Sequence, residues 1–404
     1  MRRSFGLVAT ALFIAGLAFP AQAQSQAGFQ RWVANFWPNA RAAGISRSTY
    51  EQGFRGVGLD PAVLEKARYQ PEFVRPLWDY VDSAVSEKRL ENGKAKLREY
   101  SRLLDALERT YGVDRHILVA IWGMESSYGQ VLDNPKIVKS VIQSLATLAY
   151  ADRRRARFGR QQLIAALKIL QRGDISPPGL TGSWAGAMGH TQFIPTTYNA
   201  YAVDFDGDGR RNIWTSPADA LASAAHYLKK SGWVGGKTWG YEVVLPRRFD
   251  YRLADGDTTR TLGQWQKLGI RRAGGRSFPR PADRAELLLP GGANGPAFLL
   301  LRNHFVIKRY NNATSYALAI GHLADRLRGG GAFAQAWPRS ERPLSKTELR
   351  ELQSQLARTG HYKGSIDGKI GPMSRAAIRA YQVRAGLAAD GYAGALLLNR
   401  LRGS

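Results

Sequence analysis

Cysteine is missing from all 404 residues of this chain. Its absence excludes disulfide bonds, thiolate metal sites, cysteine nucleophiles and an N-terminal lipid-modified cysteine. Histidine is scarce, and the six residues do not cluster at metal-ligand spacing. No glycine-rich phosphate loop is present, and Ser126 and Ser127 do not lie in the context of a nucleophile elbow. The sequence therefore gives no support for catalysis by a cysteine or serine nucleophile, by a histidine-bound metal or by a phosphate-binding loop.

Acidic residues are few: the chain has 32 acidic and 58 basic residues, which gives a formal net charge of +26. A strongly basic protein favours a polyanionic partner. We expect no nucleic acid, because the N-terminus predicts export, and an acidic polymer of the cell envelope fits better. A solvated, arginine-rich surface is the alternative explanation of the charge.

Long apolar runs are limited to the N-terminus. Arg2 and Arg3 precede an apolar segment at 5–19, and Ala21-Gln22-Ala23 forms a small-x-small cleavage site. This order is typical of a signal peptide, and the segment is short for a membrane span. The sequence predicts cleavage after Ala23 and a periplasmic protein with no stable membrane anchor. An uncleaved anchor is the alternative.

The remaining chain predicts a mainly α (α+β) protein. Residues 28–232 have helical patterns, whereas 237–310 contain short apolar runs between glycine and proline. The runs at 242–245, 285–289 and 298–301 predict three strands. Helix returns at 316–328, and a glycine- and proline-rich stretch follows. We predict a signal peptide at 1–23, a main domain at 24–335 with a small β-containing subdomain, a linker at 336–343 and a small module at 344–404.

Glu125 is the first candidate for chemistry, because the apolar run 117–122 leads into it. If the run is helical, Glu125 shares a face with Leu118, Ile121 and Trp122. Burial there raises the pKa of a carboxyl, and a carboxyl protonated near neutral pH acts as a general acid. Spacing alone favours the alternative of a solvent-facing glutamate, because carboxylates are rarely buried unpaired.

Gln192 is the second candidate, within the glycine-rich stretch 182–195. Its amide offers both a donor and an acceptor, which suits a sugar hydroxyl or an acetamido group. The alternative is a glycine-rich loop that packs on Trp184, with Gln192 incidental.

A run of aspartates resembles the start of an EF-hand calcium loop, with carboxylates at positions 1, 3 and 5 and glycine at position 6. Position 12 is Thr215 rather than the expected glutamate, so a longer loop is needed to complete the shell. An Asp-Gly turn without metal is the alternative. The candidate ligands are the carboxylates of Asp204, Asp206, Asp208 and Asp219 and the main-chain carbonyl of Arg210.

Together these stretches resemble the lytic murein transglycosylase B family over roughly residues 28–328. His190 and Thr191 depart from the pattern, since some members have an aliphatic residue and Met there. The matching pieces are Glu125-Ser126-Ser127-Tyr128-Gly129, Ala187-Met188-Gly189 with Gln192-Phe193-Ile194-Pro195, residues 204–214, and Arg309-Tyr310-Asn311.

The resemblance implies a lysozyme-like fold and cleavage of the MurNAc-GlcNAc β-1,4 bond of peptidoglycan, with 1,6-anhydroMurNAc as product. It implies Glu125 as the only catalytic carboxylate, acting as acid and then as base, and a structural calcium ion with no organic cofactor. It implies substrate-binding or acid-positioning roles for Ser126, Arg154, Arg155, Met188, Gln192, Tyr227, Tyr310, Asn311 and Tyr316. A solvated basic face and core packing are the alternatives for the arginines and tyrosines.

Residues 344–401 resemble a peptidoglycan-binding domain of the three-helix type, through the stretch 360–372 and the turn Asp390-Gly391. We therefore expect glycan strands of peptidoglycan as partner, with proteins of wall synthesis or remodelling as further candidates. A capping domain without ligand is the alternative for this module. For the whole chain, the alternatives are a hydrolytic muramidase, which needs a second carboxylate, and a non-catalytic peptidoglycan-binding scaffold.

Overall fold

The computed structural model describes residues 25–69 and 76–403. The signal peptide predicted at 1–23 lies outside the described residues. Among the residues that are described, no helix is long and apolar enough to cross a membrane.

The first half of the described chain is almost entirely helical. Its helices are α1 (Gln26–Ala42), α2 (Arg47–Phe54), α3 (Pro61–Arg68), α4 (Leu77–Ala84), α5 (Glu87–Glu99), α6 (Ser101–Tyr111), α7 (Arg115–Ser126), α8 (Val141–Ala151), α9 (Ala156–Arg172), α10 (Pro195–Tyr201) and α11 (Pro217–Lys230). A two-stranded antiparallel sheet pairs β1 (Lys139–Ser140) with β2 (Thr181–Gly182).

Helix α7 lies in the centre of this bundle. Asp114 caps its N-terminus by accepting a 2.8 Å hydrogen bond from the backbone N–H of His116. Every residue from Ile117 to Gly123 is buried, not only the single face that the spacing predicts. A helix that is apolar all round is stable only when it is covered on all sides, and here it packs on α5, α6, α11 and a later helix, α14 (Thr314–Leu327).

A five-stranded antiparallel sheet forms the predicted β-containing subdomain. Its strand order is β4-β6-β7-β3-β5, and Val243, Trp265 and Leu299 are fully buried beneath it. The three strands predicted from apolar runs are confirmed, whereas the short polar strands β4 and β5 escaped prediction. The elements are β3 (Gly240–Val244), β4 (Thr259–Thr261), α12 (Leu262–Lys267), β5 (Arg271–Arg272), β6 (Arg284–Leu288) and β7 (Ala297–Leu300).

Two helices return the chain from the sheet to α7. They are α13 (Arg302–Tyr310) and α14, and α14 makes one of the most extensive contacts in the molecule with α7. This return brings Tyr310 and Tyr316 beside the C-terminal end of α7.

The predicted three-helix module at the C-terminus is confirmed. It consists of α15 (Lys346–Arg358), α16 (Pro372–Arg384) and α17 (Ala395–Arg402), around a core that includes Leu352, Ile378 and Leu398. The module touches the sheet subdomain, where the Asp390 carboxylate accepts a 2.8 Å hydrogen bond from the backbone of Ala293. Trp337, at the start of the segment predicted as a linker, packs on Trp78 and Phe298.

Candidate active site

Glu125 occupies the last turn of α7, directly before a sharp change of chain direction. Ser127, Tyr128 and Gly129 all have left-handed backbone conformations, with φ of 50°, 62° and 89°. Two consecutive non-glycine residues in that region are uncommon and cost free energy, which the surrounding packing must offset. Tyr128 is buried, and its hydroxyl donates a 2.8 Å hydrogen bond to the Arg89 carbonyl, which holds the turn.

The Glu125 carboxyl is partly buried, and among the residues that the structure describes its one polar partner is the Tyr316 hydroxyl. That hydroxyl donates a 2.6 Å hydrogen bond to Oε1 of Glu125. Burial raises the pKa of Glu125 to about 7, and the Tyr316 bond opposes the rise by stabilising the charged form. The carboxyl therefore exists in both protonation states near neutral pH, which a group that first gives and then takes a proton requires.

A small cavity opens at Glu125. Gln192 lines it too, so the two sequence candidates from separate motifs meet there. The loop at 131–138 contributes much of the wall, although no pattern in the sequence marked it as functional. Among described residues that line this cavity, Glu125 is the only carboxylate; the others are Val131, Leu132, Ile137, Val138, Thr181, Gly182, Ser183, Gly189 and Gln192.

Gln192 lies at the tip of a tight turn. Its φ is 50°, and the turn closes through a 2.9 Å hydrogen bond from the Met188 N–H to the Phe193 carbonyl. The side-chain amide donates to the Gly189 carbonyl at 2.9 Å, which leaves its oxygen without a protein partner within the described chain. Met188 is completely buried. Its assignment as a substrate contact is wrong, because its side chain supports the turn from below.

Ser126 is likewise not a substrate contact. It is 1% exposed, and its hydroxyl donates a 2.8 Å hydrogen bond to the His190 carbonyl while accepting one from the Gly129 N–H. The Trp122 indole donates to Nδ1 of His190 at 3.0 Å. Through these hydrogen bonds to His190, Ser126 and Trp122 connect the end of α7 to the Gln192 turn.

His190 is a positioning residue that the sequence reasoning did not single out. Burial and the nearby Lys96 lower its pKa to about 4, so the ring is neutral at neutral pH. Because Nδ1 accepts from Trp122, the ring proton is on Nε2. The only signal in the sequence was its departure from the family pattern.

The predicted tyrosines converge on the same region. Tyr310 donates a 2.6 Å hydrogen bond to the Thr191 carbonyl, and its ring packs 5.3 Å from that of Tyr227. Tyr227 donates to the Arg309 carbonyl, which anchors the last turn of α13. Asn311 follows Tyr310 and is exposed. Of this group, Tyr316 alone bonds to Glu125.

Arg154 and Arg155 do not line the cavity at Glu125. Arg155 donates to the Ala67 carbonyl and the Asp152 carboxylate, and it lies 5.5 Å over the Trp184 ring. Arg154 is exposed. Arg155 therefore has an evident structural task, whereas a contact between Arg154 and substrate stays a prediction.

The aspartates predicted to hold calcium form a compact cluster. Each of Asp204, Asp206, Asp208 and Asp219 offers an oxygen, and these oxygens lie within 4.8 Å of one another. Calcium–oxygen distances of about 2.3–2.6 Å place opposite ligands at roughly that separation, so the donor set fits the ion. Asp219 is fully buried and accepts 2.7 Å hydrogen bonds from the backbone of Phe205 and of Asn212.

Two family models match the chain. A transglycosylase SLT domain matches residues 28–325, and a putative peptidoglycan-binding domain matches residues 345–401. The membrane-bound lytic murein transglycosylase B of Escherichia coli K12 is 33% identical over 263 residues. That match covers 63% of this chain and 65% of the relative's own length.

Solved structures agree with these matches. SltB3 from Pseudomonas aeruginosa, in complexes with NAG-anhNAM-pentapeptide and with NAG-NAM-pentapeptide, is 52% identical with a TM-score of 0.89. That similarity covers 93% of this chain and 99% of SltB3. Slt35 from Escherichia coli in complex with calcium is 28% identical with a TM-score of 0.62, over 75% of this chain and 93% of Slt35.

Proposed function

This chain belongs to the transglycosylase SLT domain family, and on that premise we propose that it is a lytic transglycosylase that cleaves the MurNAc-GlcNAc β-1,4 bond of peptidoglycan. The observation that carries the proposal is the carboxyl of Glu125. It is the one carboxyl among the described residues that line its cavity, it receives a hydrogen bond from Tyr316, and its pKa is about 7.

The reaction uses this single group twice. Protonated Glu125 first donates its proton to the glycosidic oxygen as the bond to the MurNAc anomeric carbon breaks. The resulting carboxylate then takes the proton of the MurNAc 6-hydroxyl, whose oxygen attacks the anomeric carbon and closes a 1,6-anhydro ring. Glu125 ends protonated, ready for another cycle, and no water is consumed.

The surrounding residues support both steps. Tyr316 stabilises Glu125 while it is charged, because its hydroxyl donates to the carboxylate. The free amide oxygen of Gln192 faces a substrate that presents hydroxyl and acetamido N–H donors. The Trp122–His190 hydrogen bond keeps the Gln192 turn at a fixed position relative to Glu125.

The lining of the cavity argues against hydrolysis by a pair of carboxylates. A hydrolytic muramidase places a second carboxylate across the sugar, at about 5–9.5 Å from the acid. Within the described part of the lining, Glu125 has no such companion. Asp133 belongs to the adjoining loop, but it is exposed and outside the lining. The 6-hydroxyl of MurNAc supplies the nucleophile in place of an activated water.

We also propose a structural calcium ion at the Asp204–Asp219 cluster. Four carboxylates crowd together there, and a divalent cation relieves the repulsion among them. Arg210 offers its main-chain carbonyl as a further ligand, as the EF-hand pattern implies. Slt35, which is similar to this chain, has been solved with calcium.

In this proposal, the N-terminal segment and the C-terminal module bring the enzyme to peptidoglycan. We infer that residues 1–23 direct export to the periplasm and that the three-helix module at 345–401 binds the cell wall. A tethered binding module raises the effective concentration of the catalytic site on an insoluble substrate.

The test is digestion of purified sacculi by the wild type, by Glu125→Gln and by Asp133→Asn. We expect soluble muropeptides from the wild type and from Asp133→Asn, and at least about a 100-fold slower release by Glu125→Gln, because a general acid contributes that much. Release by Glu125→Gln at the wild-type rate would exclude the assignment of Glu125. Binding of the wild type to sacculi without any release would indicate a scaffold instead.

A further inference from the structure

Helices α1 and α9 enclose a surface groove of about 590 Å³. None of its lining residues belongs to the cavity at Glu125. We call it the α1–α9 groove, and its lining includes Trp32, Asn35, Asn39, Arg160, Gln161 and Ile164.

Trp32 supplies a partly exposed aromatic ring to this groove. The ring stacks on Phe36, with centroids 5.0 Å apart and an angle of 18° between the planes, and on Phe29, with centroids 6.1 Å apart and an angle of 27°. Tyr150 packs against it at 6.2 Å. The exposed part of a ring that its neighbours hold in place presents apolar surface at little entropic cost, and the C–H groups of a pyranose can pack on it.

Three side-chain amides line the groove together with Trp32. Asn35 and Asn39 lie four residues apart and therefore on the same side of α1, and Gln161 faces them from α9. All three are exposed, and none of the three side chains hydrogen-bonds to protein in the described chain. Amides both donate and accept, as recognition of sugar hydroxyls and N-acetyl groups requires.

Arg160 adds a positive charge at the same place, and Arg157 precedes it by one turn of α9. Both are exposed, and within the described residues neither guanidinium forms an ion pair. A guanidinium binds carboxylates through paired hydrogen bonds. The peptide stems of peptidoglycan carry such carboxylates.

We propose that the α1–α9 groove is a second binding site for the glycan of peptidoglycan, with an N-acetylated sugar on Trp32 and a stem carboxylate at Arg160. The inference rests on the proposed function, since it assumes the same polymer. An aromatic ring, three amides and a guanidinium line the same groove, and this combination suits a sugar that carries N-acetyl groups and a peptide carboxylate. Holding the strand here raises its effective concentration at Glu125.

Hydroxyl-radical footprinting of full-length Glu125→Gln, with soluble glycan strands that bear peptide stems, tests the proposal. We expect severalfold slower oxidation of Trp32. Trp37 is the internal control, because it lies on the same helix, is partly exposed and is outside the groove lining, so its oxidation stays unchanged. Ile137, which lines the cavity at Glu125 and is 44% exposed, reports on the proposed active site and is protected independently.

Protection of Ile137 without protection of Trp32 would overturn the second site and leave the proposed function intact. Protection of neither would count against both. Protection of Trp32 by the free stem peptide, but not by a peptide-free N-acetylglucosamine oligosaccharide, would overturn its assignment to sugar.

A paired variant gives a second measurement. In the Glu125→Gln background, Asn35→Ala with Arg160→Ala weakens binding to sacculi by about fivefold or more, which corresponds to about 1 kcal/mol. Arg41→Ala, which removes an exposed arginine of α1 outside the groove, is the charge-matched control. Equal affinity of the two proteins, with unchanged melting temperatures, would contradict the proposal.

Discussion

Tyr316 donates a 2.6 Å hydrogen bond to Oε1 of Glu125, although 191 positions separate the two residues in the chain. The bond joins the end of α7 to the first turn of α14; Tyr316 is buried and Glu125 is partly buried. It favours the charged form of a carboxyl whose pKa burial raises to about 7. The balance between these two effects sets the pH at which Glu125 loses its proton in the free enzyme.

Tyr316→Phe removes the bond and shifts that balance. The pKa of Glu125 rises, because the charged form loses its donor. The limb of the rate profile on which the acid is lost then moves to higher pH, and kcat/KM falls about tenfold, because a hydrogen bond to a charged group contributes roughly 1.5–3 kcal/mol. Rates of muropeptide release across pH 5–9 measure both effects.

Tyr227→Phe is the matched control, because its hydroxyl bonds to the Arg309 carbonyl and not to Glu125. Its pH profile stays at the wild-type position. A Tyr316→Phe enzyme with an unshifted profile would show that the bond does not set the pKa of Glu125.

Glu125→Gln stabilises the protein at alkaline pH. The folded-state pKa of about 7 lies above the usual 4.5, so the native state binds more protons than the unfolded state between those values. Stability from this group is therefore complete below pH 4.5 and is lost as the pH rises through 7. The loss amounts to about 3 kcal/mol at most.

Urea unfolding at pH 4 and pH 8 measures this effect. Glutamine retains an acceptor for Tyr316 and carries no charge, so we expect a gain near pH 8 and little change near pH 4. Glu65→Gln, at an exposed position, serves as the control. Equal effects of Glu125→Gln at the two pH values would contradict the burial of the charged carboxyl.

Local patterns predicted much of the fold but not its tertiary pairings. The Asp114 cap and the strands at 240–244, 284–288 and 297–300 follow from signals within a few residues. The pairing of Glu125 with Tyr316 depends on the packing of α14 on α7, which no short-range periodicity encodes. Strands β4 and β5 are short and polar, so they lack the apolar alternation that marks a strand.

The candidate site was predicted only in part, because sequence motifs identify residues but not the tertiary contacts between them. Position in a motif indicated Glu125 and Gln192, which do meet in one cavity. It did not distinguish residues that face the cavity from residues that hold it in place, so Ser126 and Met188 were assigned to substrate although both are buried. The loop 131–138 has no distinctive composition, and only the structure brings it to the cavity wall.

Gly129 and His190 form a pair in which each constrains the other. Gly129 has a φ of 89°, and a Cβ placed there would lie 2.5 Å from Cε1 of His190. Gly129→Ala therefore lowers the free energy of unfolding by about 2 kcal/mol or more, through both backbone strain and the clash. His190→Ala removes the clash but leaves the strain.

A double-mutant cycle on these two positions separates the causes. We expect Gly129→Ala to cost less stability in the His190→Ala background than in the wild type. Additivity within about 0.5 kcal/mol would mean that the two side chains do not interact. Urea unfolding of the four proteins provides the free energies.

Calcium raises the melting temperature if the Asp204–Asp219 cluster binds it. A free calcium concentration 100 times the Kd adds about 2.7 kcal/mol to stability, and chelation removes it. Asp208→Asn removes one exposed ligand and weakens the response, whereas Asp257→Asn, an exposed aspartate outside the cluster, does not. Calorimetry with calcium and with chelator checks this, and identical melting in the two conditions would exclude occupancy.

The most direct test of the account asks where the attacking oxygen comes from. Sacculi are digested in ¹⁸O-water, and the muropeptides are weighed by mass spectrometry. If Glu125 activates the MurNAc 6-hydroxyl, the wild-type products end in 1,6-anhydroMurNAc and contain no ¹⁸O, and Glu125→Gln yields almost none of them. Reducing ends that carry ¹⁸O, or anhydro products from Glu125→Gln at the wild-type rate, would contradict the account.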